Sequence, residues 1–418
     1  MSAPTISSEK ATTPSDIDRA MQKRTPLFHL RPLFLAALGL CLGTGLFFWL
    51  PGRFLLPSGL VCAFLACFSL SRKWNSAAIL AFCTVLGLAR AFLPPLTLPE
   101  GISARFSALA GAFGGRIDAL FPDYPGVARG MLLGARNSEI EAALSRRLYD
   151  VGVGHLLAVS GLHVSILSGC ILLIWRRYAL RLRYACIAAF LLFYCLLTGG
   201  APSVIRASVM LLCTIPAGPS LRRRDTLSSL SLACCIVVLL DPAAPATPGF
   251  QLSFLAVLGI VLLAPVLQAR FSLLAPPLAK SLSATLAATF GTAPVMARAF
   301  SQISIFGLCA NVLVVPLAPF FLAPALLCTV LSFPFPAFAE TLAALPRFVL
   351  KLMMTLSLAG GSTVLRVSAP PAAAMLLYYA ALLFCSRFCM RPARIRALYA
   401  GLCLLPGLLL WTLLPAAV

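Results

Sequence analysis

Long runs of apolar positions recur along this chain, separated by short polar stretches. They cover roughly 33–50, 54–70, 76–93, 152–175, 184–199, 203–218, 226–240, 250–267, 279–300, 303–331, 340–360, 371–388 and 395–415. A helix needs about 20 apolar residues to cross the hydrocarbon of a bilayer, so the shorter runs predict tilted or re-entrant segments. The run 303–331 is long and interrupted by Pro316 and Pro319. The pattern therefore predicts about ten to thirteen transmembrane or re-entrant helices. In lipid every backbone amide must be satisfied internally, which favours helices over open strands. The expected fold is an all-α polytopic membrane protein.

The polar punctuation divides the chain. Residues 1–32 are rich in Ser, Thr, Pro and charge and predict a disordered cytoplasmic tail. Apolar runs follow over 33–93, then one substantial loop segment over 94–148. In that segment Phe106, Leu109, Phe113, Ile117 and Leu120 share one helical face, with Arg105, Arg116 and Asp118 elsewhere. This spacing predicts an amphipathic helix lying on the membrane. Ser138 and Glu141 have capping-box spacing and predict a second helix start. The main membrane region is expected over 149–391 and a last transmembrane helix over 392–418. No exact internal repeat stands out.

Composition agrees with this picture. Of 418 residues, 60% are hydrophobic and only 11% charged, whereas soluble chains carry about 25% charged residues. A soluble globule is thereby excluded. The formal net charge of +21, from 33 Lys and Arg against 12 Asp and Glu, would suggest nucleic-acid binding in a soluble protein. In a membrane protein the positive-inside rule accounts for most of it. With the amino-terminal tail inside, Arg176, Arg177, Arg181 and Arg183 fall on the inner side. So do Arg222, Arg223 and Arg224, then Arg270 and Lys280, then Arg387, Arg391, Arg394 and Arg396. That agreement predicts a cytoplasmic amino terminus. Most of the fifteen cysteines lie inside apolar runs without zinc-ligand spacing, and read as small apolar fillers. No cofactor or metal site is expected. About 30 polar residues precede the first apolar run, which argues against a cleavable signal peptide.

A few polar residues interrupt the apolar runs. His155 and His163, two of three histidines in the chain, flank Ser160 within one segment. Gly161, Ser165 and Gly169 recur every four residues, a helix-packing stripe that would admit a neighbouring helix. His163 lies one turn from Ser160, opposite that stripe. Such groups either line a polar cavity or hydrogen-bond between helices. A Ser160–histidine hydrolase is disfavoured, because residues three apart on one helix do not readily reach attack geometry and no orienting acid is near. Metal binding by the two histidines lacks a completing carboxylate or thiol. Arg206 lies one turn into its span, and topology allows an ion pair with Asp241, although outward snorkelling is the plain alternative. His155, Arg206, Asp241, Gln251, Arg298 and Gln302 all map toward one leaflet, which suggests a polar mouth.

These strings resemble the competence domain of ComEC-type DNA-uptake channels. HLLAVSGLHV from His155 to Val164 is similar to the family's signature. Pro202-Ser203-Val204-Ile205-Arg206-Ala207 resembles its second motif, and Asp241-Pro242 with Pro248–Ala256 its third. Ala287–Pro316, with Gln302-Ile303-Ser304 and Ala310-Asn311, resembles its fourth. The resemblance implies a bacterial inner-membrane channel passing single-stranded DNA into the cytoplasm, without a membrane-embedded cofactor. Lining or DNA-contacting roles fall by motif to His155, Ser160, His163, Arg206, Gln251, Ser253 and Asn311. Position at the mouth adds Arg298 and Gln302, with arginines attracting phosphates. An extracytoplasmic DNA receptor, a separate nuclease and a cytoplasmic motor are implied as partners, and a homo-oligomer stays open. Two departures are expected. Residues 94–150 show no alternating strands for the oligonucleotide-binding barrel of many members, and no histidine follows His163 to build a metallo-β-lactamase-like domain. A small-solute transporter, a non-transporting scaffold and the intramembrane hydrolase remain as alternatives.

Overall fold

The computed structural model describes residues 32–49, 75–134, 140–157, 159–174, 180–214, 225–304, 307–359, 364–386 and 393–413. The expected amino-terminal tail, the apolar run 54–70 and Ser138 lie outside these residues.

The described chain is a helical membrane fold. An amino-terminal pair, α1 (Pro32–Trp49) and α2 (Asn75–Ala91), precedes α3 (Glu100–Leu120), α4 (Pro125–Leu133) and α5 (Ala142–Val151). A single 3-10 turn at Gly154–Leu157 leads into α6 (Gly161–Ile174), α7 (Leu180–Leu197), α8 (Pro202–Thr214) and α9 (Thr226–Leu240). Then come α10 (Pro248–Arg270), α11 (Pro276–Phe300), α12 (Gly307–Val314) and α13 (Ala318–Leu331). The chain closes with α14 (Pro336–Leu342), α15 (Ala344–Ala359), α16 (Ala372–Cys385) and α17 (Ala393–Leu413). The stretches Pro248–Arg270, Ala310–Leu331 and Arg394–Thr412 are long and apolar enough to cross a membrane, and α14 with α15 forms a bent pair at 44°. Several shorter apolar helices, α6, α8, α9 and α16 among them, complete the bundle.

Two hairpins pack through glycine. In lipid, helices associate by close packing rather than by escape from water, so small residues at the contact matter. Gly39 and Gly43 on α1 face α2, where a β-carbon at position 39 would lie 2.6 Å from the Leu80 carbonyl oxygen. Gly87 answers from α2 against Leu40. In the α10–α11 hairpin a β-carbon on either Gly259 or Gly291 would meet the other's Cα at 3.1 Å. The sequence stripe Gly161, Ser165, Gly169 behaves differently. Only Gly161 receives a neighbour, α8, while Ser165 turns its hydroxyl back to the Gly161 carbonyl at 2.8 Å and Gly169 has open space around it. The expected helix-packing stripe is therefore a single contact at the start of α6.

Two local expectations change. The apolar face of α3 packs against protein. Phe106 meets Phe193, Phe113 meets Phe333, and Ile117 and Leu120 are buried in the main apolar cluster. The α4 helix, tied to α3 by an Arg129–Asp118 ion pair, covers it instead of lipid. The run beginning at 303 does not start as helix. β1 (Gln302–Ser304) pairs antiparallel with β2 (Val364–Arg366), Gln302 opposite Arg366. Farther on, Pro316 lacks an amide proton and marks a 3-10 turn at Val315–Leu317 before α13.

Two large apolar clusters, with a small one of Leu262, Leu263 and Ala287 between α10 and α11, divide the described interior. One gathers α3 to α8 with α12, α13 and α15, and the other gathers α1, α2, α9 and α10. The α8 helix is the seam, giving Val204 and Ala207 to the first and Ile205, Val209 and Met210 to the second. Arg90, at the end of α2, fastens the second cluster. Its Nε donates to the Leu239 carbonyl at 2.7 Å and its Nη2 to the Leu240 carbonyl at 3.0 Å. Those are carbonyls a helix end leaves without intrahelical donors, and a cation there also suits the dipole of α9.

Candidate functional site

The site begins at the start of α6. Ser160 precedes the helix, and its N–H donates to Nδ1 of His163 at 3.1 Å. This is one half of a capping box, with histidine in place of the usual Glu or Gln three residues on. The Ser160 hydroxyl also lies 2.8 Å from Nδ1. Because Nδ1 accepts from a backbone N–H, the ring proton resides on Nε2. That atom is buried and finds no hydrogen-bond partner among the described residues. The sequence argument against close Ser160–His163 approach is thus corrected: Ser160 sits at the cap, not on the helix, and the contact forms. Chemically it is a capping arrangement, since Nδ1 already serves a backbone donor and no carboxylate meets Nε2. His155, on the preceding turn, is exposed, whereas His163 is fully buried.

The second motif docks on the first. The Ser203 hydroxyl donates to the Val159 carbonyl at 2.7 Å, fixing the start of α8 against the α6 cap. One turn on, Arg206 is 7% exposed on the seam between the two clusters. Its Nε donates to the Ser253 hydroxyl of α10 at 2.9 Å, and its guanidinium carbon lies 5.9 Å from the Phe254 ring centre. Nη1 leans on the Met210 sulfur at 4.0 Å. Nη2 points at Gly161, where a β-carbon would stand 2.9 Å away. Three motifs, from α6, α8 and α10, therefore converge on one guanidinium.

The ion pair that topology allowed is not formed. Asp241 turns its Oδ1 to the Ala243 N–H at 2.9 Å, capping its own turn, and no carboxylate lies within ion-pair distance of Arg206 among the described residues. Arg206 also sits beside Gly161, the first residue of α6, while it and Ser253 lie in the second turns of α8 and α10. A helix amino terminus carries the equivalent of about half a positive charge. A nearly buried cation with only neutral partners thus stands at the start of α6.

The other predicted residues lie around this centre rather than in it. Gln251 donates to the Pro245 carbonyl at 2.9 Å and holds the 3-10 turn Ala244–Ala246 to α10. Asn311, on α12, has a buried Oδ1 without a partner among the described residues. Arg298 is exposed at the end of α11, with Nη1 3.9 Å from the Met375 sulfur, and Gln302 is committed to the β1–β2 ladder. Among the described residues no cluster of three or more His, Cys, Asp or Glu is arranged to hold a metal. Sequence reasoning missed Ser203, although it stands inside a quoted motif, and Arg90 and Arg366, which carry no local pattern.

ComE operon protein 3 of Bacillus subtilis (strain 168) is 31% identical over 212 residues, which are 50% of this chain and 27% of that protein. The match thus spans little more than a quarter of that relative's length. No solved structure matches. Residues 131–392, which contain α5 to α16 and every side chain around Arg206, match the family described as Competence protein, and the chain belongs to that family.

Proposed function

We propose that this chain is a subunit of a bacterial inner-membrane channel that passes one strand of DNA into the cytoplasm during natural transformation. In this reading Arg206 contacts the phosphodiester backbone on the way. Its state carries the proposal: a nearly buried guanidinium, bonded to a hydroxyl and set beside the start of α6, with no carboxylate in ion-pair reach among the described residues. Burying such a charge unpaired is costly and is tolerated where a passing anion or water shares the site. Backbone contact without base readout is the chemistry expected of a conduit that must accept any sequence. Ser160, His163 and Ser253 act as positioning residues for Arg206 and the α6 cap. His155, Gln251, Arg298, Gln302 and Asn311 are assigned to the walls and mouth.

The test is uptake of labelled transforming DNA in a deletion strain of the source organism. It is complemented by the intact chain, Arg206→Ala or Arg206→Lys, with membrane insertion verified for each. Loss of cytoplasmic single strands on deletion, restored by the intact chain and not by Arg206→Ala, is the expected result. Arg206→Lys should restore uptake only in part, because an ammonium cannot hold Ser253 and a phosphate with one planar fork. Undiminished uptake in the deletion strain would replace the channel with a solute transporter or scaffold.

A further inference from the structure

Beyond Arg206, the same end of the bundle sets three further arginines, Arg146, Arg147 and Arg366, with Arg298 of the mouth. The β1–β2 ladder sets Arg366 opposite Gln302, and the Val367 N–H donates to the Ser301 carbonyl at 3.1 Å. Arg366 is therefore held next to the last turn of α11, which carries Arg298. The α5 helix is fastened to the same corner. Tyr149 stacks on Phe300 with ring centres 5.3 Å apart, and Gly152 packs against Ser304 and Gly307 so closely that a β-carbon would fall 2.7 Å from the Gly307 Cα. Arg146 stands one turn before Tyr149 on this docked helix, and Arg147 follows it. All four arginines are exposed. Asp150 on α5 and Glu141 just before it share this neighbourhood, yet among the described residues no carboxylate lies within ion-pair distance of any of the four.

The geometry points to a phosphodiester-binding platform formed by Arg146, Arg147, Arg298 and Arg366, which receives single-stranded DNA ahead of Arg206. The inference rests on the channel reading for its side of the membrane. By the positive-inside pattern this end faces away from the cytoplasm, where uncompensated arginines are disfavoured. Four of them from three separate elements, held by a strand ladder and an aromatic stack, are placed for the planar two-point recognition that guanidinium gives phosphate. Anionic lipid headgroups share that chemistry, and the experiment separates them from DNA.

The protein is placed in nanodiscs of neutral phosphatidylcholine and titrated with a fluorescent single-stranded oligonucleotide at several salt concentrations. The R146Q/R147Q/R298Q/R366Q variant is compared with R176Q/R177Q/R222Q/R223Q, which removes the same charge from loops assigned to the opposite side. All four platform residues are exposed, so the variant should fold, and unchanged thermal stability verifies it. Binding should weaken about tenfold or more, and the log–log salt slope should fall by up to about 3, only in the platform variant. Unchanged affinity and slope overturn the platform. Equal losses in both variants overturn it too, because they would report total charge. A platform variant that differs only when the discs contain phosphatidylglycerol would make this a lipid surface and also overturn the proposal. The assay needs no transport. Normal DNA uptake in the deletion strain would remove the channel reading while leaving the measured platform in place.

Discussion

The Arg206 guanidinium occupies the space beside Gly161 so closely that a β-carbon on the glycine would lie 2.9 Å from Nη2. Glycine at this position is therefore a condition for the arginine's placement. Gly161→Ala is expected to push Nη2 aside and to lower DNA uptake while the chain still inserts. Gly169→Ala, with open space around it, should leave uptake unchanged. Equal phenotypes for the two glycines would show that helix flexibility, not the Arg206 contact, sets the requirement.

His163 caps α6 through its Nδ1. Gln at this position can reach back to the Ser160 N–H as in an ordinary capping box, whereas Ala cannot. His163→Ala should cost about 1 kcal/mol of stability, read as a lowered melting temperature in detergent, whereas Ser160→Ala keeps the backbone N–H that His163 accepts from and should cost less. His163→Gln should recover most of the His163→Ala loss. Uptake restored along with stability would make the cap the whole role. A stable His163→Gln protein that fails in uptake would assign a further task to the buried Nε2.

Ser253 holds Nε of Arg206 at 2.9 Å. Ser253→Ala should reduce uptake less than Arg206→Ala does, and the double variant should be no worse than Arg206→Ala alone. Residues acting through one contact give such non-additive effects. Fully additive losses would separate Ser253 from the arginine.

The Cys41 and Cys234 sulfurs of α1 and α9 stand 3.5 Å apart. Oxidation by oxygen with copper–phenanthroline should join the two thiols with loss of two hydrogens, with oxygen accepting the electrons. Cleavage between the two helices should then leave fragments held together until reduced. Cys41→Ser should release them. Free fragments from the oxidised protein would contradict the packing of α1 on α9.

Much of the arrangement was legible along the chain. Apolar run lengths located the helices, and the three motifs that meet at Arg206 were visible as strings. Other features depend on partners distant in sequence. Gln302 enters a strand because Arg366, far along the chain, pairs with it, and the surrounding apolar run reads equally as helix. Which small residues take a neighbour is likewise decided between helices: Gly259 and Gly291 touch, while Ser165 and Gly169 do not, although the latter have the cleaner local spacing. Asp241 was matched to Arg206 by charge and depth, but a backbone N–H two residues away captured it first.

Arg90 closes the carbonyl end of α9 from outside the region shared with the family. Cutting the chain at the edge of that shared region would strip these carbonyls of their donors and expose the face of α9 that α1 covers. An excised 131–392 fragment should lose its α9 corner first, and co-expression of the amino-terminal pair in trans should rescue it.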